Sequence, residues 1–312
     1  MNRPSEHAAA WAQQGERGNR FVLRLMAFIA VAFGRPVARL VLHPITWYYL
    51  VFAPTAREHS ARYLARALGR PATLADRYRH IHGFAATVLD RVYLARGRMQ
   101  DFDLRLEGAP LMDALVAQGR GALLIGAHLG SFEALHAVGA SRPGLRVAMA
   151  MYPDNARLIH DALRALAPGF HLDIITIGRA SSTLAVRDWL DGGGLVGMLG
   201  DRVLANERAR SAGLVDLPFL GHNARFSDGP FRLALLLKRR LVFMVGLYRG
   251  GKRYDVRFEP LADFSVPPAD AAARDNLLRD AMQAYVQRLE SLCREAPYNW
   301  FNFYDFWNED AR

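Results

Sequence analysis

Ten histidines are spread along the 312 residues, and one of them, His128, has a carboxylate five positions on, Glu133. An H-x4-E spacing lets the carboxylate return to one imidazole nitrogen and fix its tautomer and orientation. The other nitrogen is then free to take a proton from a hydroxyl. This is the His–carboxylate half of a hydrolase triad, with the substrate supplying the nucleophilic oxygen. Ten histidines yield about one such pair by chance, so the setting decides its weight. Residues 126–133 read GAHLGSFE: His128 lies just past an apolar run, Gly130 frees the turn, and Glu133 falls in the first turn of a helix. The alternative role for His128 is structural, as a cap on that helix.

Other chemistries find no carrier. His80 and His82 share a predicted helix without carboxylates at ligand spacing, His136 and His160 are isolated, and Cys293 is the single cysteine. No metal site or disulfide framework is expected. There is no P-loop, no G-x-G-x-x-G and no G-x-S-x-G, and residues 192–194 (GGG) read as a turn between a helix and a strand. The expectation is an enzyme without a cofactor.

Such a base needs a rigid strand behind it. From Phe102 onward short apolar runs alternate with helical periodicity. Strands are expected at 121–127, 145–152, 172–177 and 195–199, with helices from about 131, at 154–166, 181–190, 229–237 and 271–295. Residues 241–248 and 254–258 read as a hairpin across Arg249-Gly-Gly-Lys252. That order predicts an α/β fold with a mixed, mainly parallel sheet flanked by helices. In such sheets the chemistry sits where strands end and helices begin.

The net charge of +10 lies entirely in the first hundred residues, which hold 15 arginines against 5 acidic side chains; the remaining 212 are balanced. The same region carries the longest apolar stretches, 25–33 (LMAFIAVAF) and 40–53 (LVLHPITWYYLVFA). Neither reaches the roughly 18–20 residues a spanning helix needs. Arg17, Arg20 and Arg24 fall at helical spacing, and Trp47, Tyr48 and Tyr49 suit a membrane–water boundary. Residues 18–53 therefore read as helices in the interface, with a core hairpin carrying a solvated arginine face as the alternative. Nucleic acid is excluded as the partner, since no helix-turn-helix spacing, zinc-finger ligands or aromatic platform motif is present. Further helices follow over 55–100, broken at Gly69-Arg-Pro71. No secretory signal is recognisable. Two regions are expected: 1–100, basic, apolar and membrane-associating, and 101–312, the α/β catalytic domain.

Over roughly 18–301 the sequence resembles the bacterial lipid A late acyltransferases, the lauroyl/myristoyl transferase family. The match runs through the N-terminal Arg-Phe entry, His128-x4-Glu133, Gly200-Asp201, Pro218-Phe219-Leu-Gly221, Gly229-Pro230 with Leu233-Ala234, and Pro297-x-x-Trp300. The resemblance implies a glycerolipid-acyltransferase-type fold at the cytoplasmic face of the inner membrane. It also implies acyl carrier protein thioesters as donors, with acyl-coenzyme A as the alternative, and a lipid or glycolipid acceptor. The sequence departs from the family at Tyr152-Pro-Asp-Asn155-Ala156, which keeps the Asn of an Arg and Asn-Pro pattern, and at Asp201-Arg202, where an acidic–glutamine pair is usual. The aromatic tail 298–307 (YNWFNFYDFW) looks like the divergent branch found beside aryl-polyene or pigment-lipid genes. Core packing against the last helix is the other reading of that tail.

The expected mechanism has His128, oriented by Glu133, deprotonate an acceptor hydroxyl as it attacks an acyl thioester. Asn155, Asp201, Arg202 and Arg225 are the expected substrate-binding residues, and backbone N–H groups near Gly130 are candidate oxyanion donors. A thioesterase, with water replacing the acceptor, and a catalytically silent membrane-surface binding protein are the competing functions.

Overall fold

Proline and glycine divide the N-terminal third into three helices in a computed structural model, which describes residues 16–140, 144–153, 172–178, 180–203 and 213–307, with side chains from residue 32 onward. Helix α1 (Glu16–Phe52) is one element, kinked where Gly34 leaves helical geometry at φ 78°, immediately before Arg35-Pro36. Helix α2 (Pro54–Leu68) opens with proline in its first turn and stops at left-handed Gly69. Helix α3 (Leu74–Ala95) begins with a capping box: the Asp76 amide donates to Thr73 Oγ1 at 3.2 Å, and the Thr73 amide donates to the Asp76 carboxylate at 2.9 Å. No helix among the described residues is long and apolar enough to cross a membrane.

The body follows as β1 (Asp103–Glu107), α4 (Ala109–Gln118), β2 (Ala122–Gly126), α5 (Phe132–Ala140), β3 (Val147–Met151), β4 (Asp173–Thr176), α6 (Ala180–Asp191) and β5 (Leu195–Leu199). It closes with β6 (Leu214–Phe219), β7 (His222–Ser227), α7 (Gly229–Leu236), β8 (Arg240–Tyr248), β9 (Arg253–Asp263) and α8 (Ala271–Glu295). Seven strands form one sheet in the order β1-β9-β8-β2-β5-β3-β4, parallel throughout except for the antiparallel β8–β9 hairpin. The α/β reading, with a mainly parallel sheet between helices, holds. The central strand β2 (ALLIG) is buried at every position, as a strand covered on both faces must be. The helix expected at 154–166 lies outside the described residues.

The chain before Pro230 forms a second hairpin, which the sequence periodicity does not predict. Strands β6 and β7 pair antiparallel from Leu214↔Ser227 to Phe219↔His222. Leu220 (φ 51°) and Gly221 (φ 81°) make its two-residue turn, whose positive dihedrals match the twist of paired strands. The Leu220 amide donates to the Glu290 carboxylate of α8 at 2.6 Å, which pins the turn to the body.

Two cores cover the two faces of the sheet. One gathers α2, α6, α7, α8, the β6–β7 hairpin and the C-terminal segment through Trp307; the other gathers α1, α3, α4 and α5. The tail aromatics Trp300, Phe306 and Trp307 are buried in the first core, so they are packing residues. In the second, Ala38 and Leu42 of α1 pack with Ala86, Leu89 and Val92 of α3. The opposite side of α1 exposes Phe33, Val37, Leu40, Trp47, Tyr48, Val51 and Phe52. After the kink, Val37, Leu40, Trp47, Tyr48, Val51 and Phe52 fall on one helix face as an apolar stripe without a charged residue, and Phe33 is exposed just before it.

Arg35 and Arg39 turn the other way. The Arg35 guanidinium donates two bonds to fully buried Asp90 at 2.7 and 2.9 Å, and Tyr254 Oη donates to the same carboxylate at 2.8 Å. Both arginines also reach the Gly251 carbonyl in the β8–β9 turn. They therefore fix α1 to the sheet and are withdrawn from the apolar stripe. Removing one partner of a buried pair leaves an uncompensated charge, at a cost of roughly 3–5 kcal/mol. Arg35→Met is expected to lower unfolding free energy by about 3 kcal/mol, read by urea denaturation. Arg35→Met combined with Asp90→Leu should recover much of that loss, and strict additivity of the two would contradict the pairing.

Candidate active site

Parallel β2 and β5 are neighbours in perfect register, with Gly126 opposite Leu199, yet the chain leaves them in opposite directions. After β2 it continues through α5 to β3, and after β5 through the β6–β7 hairpin and α7 to β8. A crevice opens at such a point beyond the carboxyl ends of the strands. His128 stands at the end of β2 and Asp201 at the end of β5.

The two meet directly. His128 Nδ1 lies 2.8 Å from Asp201 Oδ1, and the His128 backbone amide donates to Asp201 Oδ2 at 2.9 Å. The Trp300 indole N–H donates to Oδ2 as well, also at 2.9 Å. Burial alone would raise the Asp201 pKa. The charge and hydrogen bond of His128, the Arg202 charge and the Trp300 bond outweigh it and bring the pKa to about 2. An ionised Asp201 requires the proton of a neutral imidazole on Nδ1, which leaves the Nε2 lone pair unshared. The His128 side chain is 31% exposed while Asp201 is buried, so the ring has one anchored edge and one accessible to substrate.

Glu133 does not fill the place expected of it. Its carboxylate forms an ion pair with Arg91 of α3 at 2.6 Å and accepts from Ser131 Oγ at 3.2 Å. Ser131 Oγ in turn accepts from the Ala134 amide, so this cluster ties the first turn of α5 to α3. The reason is topological. The register of β2 against β5 delivers a buried carboxylate to Nδ1 before the helix begins, and spacing along the chain reveals nothing about a strand 73 residues away.

The loop between β2 and α5 is sewn down on both sides. The Gly130 amide donates to the Asn299 carbonyl at 2.8 Å, the Ser131 amide to the Gly246 carbonyl at 2.7 Å, and the Phe301 amide to the His128 carbonyl at 2.9 Å. The Gly130 and Ser131 amides are thus occupied and are not oxyanion donors in this conformation. Gly130 has φ +75°, and a Cβ there would collide with the Gly246 carbonyl, so glycine is required twice over.

Arg202 is exposed one residue beyond Asp201, with its guanidinium 5.5 Å from the Tyr304 ring centroid. Arg225 lies on β7 and pairs across the hairpin with Asp216 at 3.4 Å. Asn155 lies outside the described residues. No three His, Cys, Asp or Glu side chains group at metal-ligand spacing among the described residues. Trp300 was quoted in the sequence only as part of a motif; its indole N–H had no signal there beyond the general rule that a buried indole needs an acceptor.

One family model matches the chain, over residues 18–309, and its description is bacterial lipid A biosynthesis acyltransferase. Comparison with curated proteins gave no match.

A carboxyl whose native pKa is held below its unfolded value stabilises the fold above the unfolded pKa, and the contribution is lost as pH falls through the native one. For Asp201 that window runs from about pH 4 down to about pH 2. Acid unfolding of Asp201→Asn is expected to show a shallower loss of stability across this window than the wild type. Equal slopes in both proteins would mean that the carboxylate is not held ionised in the native state.

Proposed function

The chain belongs to the bacterial lipid A biosynthesis acyltransferases, and we propose that it carries out O-acyl transfer at a membrane surface with His128 as general base and Asp201 as the group that orients it. The family requires an acyl donor and a lipid acceptor. The observation that carries the reading is the His128 Nδ1–Asp201 contact at the carboxyl ends of β2 and β5, with Nε2 left unshared.

In this reading His128 Nε2 takes the proton of an acceptor hydroxyl as its oxygen attacks the carbonyl of an acyl thioester. The C–O bond forms, the C–S bond breaks, and the leaving thiolate recovers the proton from the imidazolium. Asp201 stays ionised and stabilises that imidazolium. No acyl-enzyme is needed, because the acceptor is itself the nucleophile. The donor is an acyl carrier protein thioester, with acyl-coenzyme A as the variant, and the acceptor is a lipid or glycolipid on the cytoplasmic face of the inner membrane. Arg202, exposed beside the pair, binds an anionic group of donor or acceptor, and Asn155 keeps a place among the substrate residues. Arg225, held by Asp216, is assigned to the hairpin. Glu133 supports the base indirectly, through the start of α5.

The apolar stripe of α1 supplies the membrane contact. Its exposed residues span Val37 to Phe52, about four turns at 1.5 Å per residue. Trp47 and Tyr48 give it the amphipathic rings that favour the headgroup level. The stripe carries no charge, because Arg35 and Arg39 are bound to the body, so apolar insertion rather than charge alone holds it to lipid.

General-base loss typically costs ~10²–10⁴-fold in rate. Mass spectrometry of total lipid and pigment extracts from a deletion strain should show a species lighter by one acyl chain, restored by the wild type but not by His128→Ala or Asp201→Asn. Release of free acid from thioester without an acylated lipid would instead select the thioesterase. Folded Glu133→Gln should complement better than Asp201→Asn; equal loss would return the orienting role to Glu133.

Membrane attachment is tested separately. Wild type should sediment with phosphatidylethanolamine–phosphatidylglycerol vesicles and stay bound at 1 M salt, where the Debye length is roughly 3 Å. Leu40→Glu with Trp47→Glu should remain in the supernatant with an unchanged circular dichroism spectrum. Complete release of the wild type by salt would overturn insertion through the stripe.

A further inference from the structure

Trp300 is 1% exposed, packed edge-on against Tyr63, Phe219 and Phe306 with ring centroids 4.9, 5.3 and 4.9 Å away. Any large aromatic would fill that volume. The polar atoms of this residue point to something narrower. Its carbonyl accepts from His80 Nε2 at 2.8 Å, and its indole N–H donates to Asp201 Oδ2 at 2.9 Å. Oδ1 of the same carboxylate faces His128 Nδ1, and Oδ2 takes the His128 amide and the indole together. Two donors on one oxygen fix the rotation of the carboxylate and so decide which oxygen meets the imidazole.

We infer that the Trp300 indole N–H is a positioning group for proton transfer by His128, fixing the Asp201 carboxylate and moderating its basicity. The inference rests on the general-base reading above. Trp300 is itself held by two backbone contacts, one of them backed by a further hydrogen bond. Ser60 Oγ donates to His80 Nδ1 at 2.7 Å, His80 Nε2 donates to the Trp300 carbonyl, and Leu129 bridges Trp300 as an antiparallel pair. This tautomer requires a neutral His80, and burial, opposed by the bond to Trp300, lowers its pKa to about 4.

Few groups among the described residues face Asp201. They are His128 from the end of β2, Arg202 on its own segment, Trp300 from the C-terminal segment, and the Tyr285 phenol and Cys293 thiol of α8. Burial holds both α8 groups uncharged at neutral pH. Without the indole N–H the carboxylate keeps two of its three donors and becomes more basic. The imidazolium beside it is then better stabilised, so His128 gives up its proton at higher pH.

The test removes the N–H and keeps the shape. The full chain is made with 3-benzothienylalanine at position 300, where sulfur replaces the indole N–H, and in parallel as Trp300→Phe. The His128 titration is read by NMR of ring-¹³C histidine, with the signal assigned by its absence in His128→Ala. The expected result is an upward shift of about half a pH unit or more in the benzothienylalanine protein, the same direction in Trp300→Phe, and about tenfold less acylated lipid in complemented extracts. An unmoved titration overturns the inference, and so does a moved titration with wild-type product. If His128→Ala complements fully, the general-base reading fails instead, and the titration still reports whether the indole acts on the pair.

Discussion

Three N–H groups converge on the Asp201 carboxylate, and much of the architecture is arranged around keeping that buried charge satisfied. A lone carboxylate removed from water would neutralise itself; one that accepts three bonds stays ionised. Each donor comes from a different stretch of chain or a different atom type: a side chain and a backbone amide at the end of β2, and an indole from beyond α8. The strand register, the return of the C-terminal segment and the position of α3 therefore share one requirement. Gly126 shows the same economy, since its carbonyl accepts both the Gly200 amide at 3.0 Å and Tyr285 Oη at 2.9 Å, joining β2, β5 and α8 at the floor of the site.

The helical third is built on a division of labour between charge and apolar surface. A sequence with fifteen arginines in its first hundred residues invites an electrostatic account of the membrane. In the folded chain several of those charges have partners within the body: Arg35 on Asp90, Arg70 on Asp76, Arg91 on Glu133, and Arg66 against the Trp307 ring at 3.9 Å. Arginine suits this use because its planar fork satisfies a carboxylate bidentately and stacks on aromatic faces. Among the described side chains of α1, the face left to the solvent is the one without charge.

Sequence reasoning reached the parts of the molecule governed by local periodicity. Residues 195–199 and 271–295 are elements with the expected bounds, and the break at Gly69-Arg-Pro71 falls between α2 and α3. His128 was legible because a histidine past an apolar run and before a glycine is unusual. Its partner was not, because a contact across 73 residues depends on which strands become neighbours. Asp201 was singled out as a substrate residue from its place after a buried strand, and the structure sets it against His128. The β6–β7 hairpin escaped notice since its strands carry Pro218, Asn223 and Arg225, and its turn depends on Leu220 in a left-handed conformation that few leucines adopt. The role of Arg35 and Arg39 as anchors appears only once Asp90, Tyr248 and the Gly251 carbonyl, all distant in sequence, are in place.

Gly130 and Gly246 touch backbone to backbone, and neither position has room for a side chain. The segment carrying His128 is consequently closed to side chains at these two points. Sequence change that alters recognition must fall elsewhere, in connections that are free to take side chains. One such connection opens with Tyr152-Pro-Asp-Asn155-Ala156, where the sequence resemblance to the family loosens. The His128 loop is thereby a fixed point of the fold, and change in the chain has to be accommodated around it.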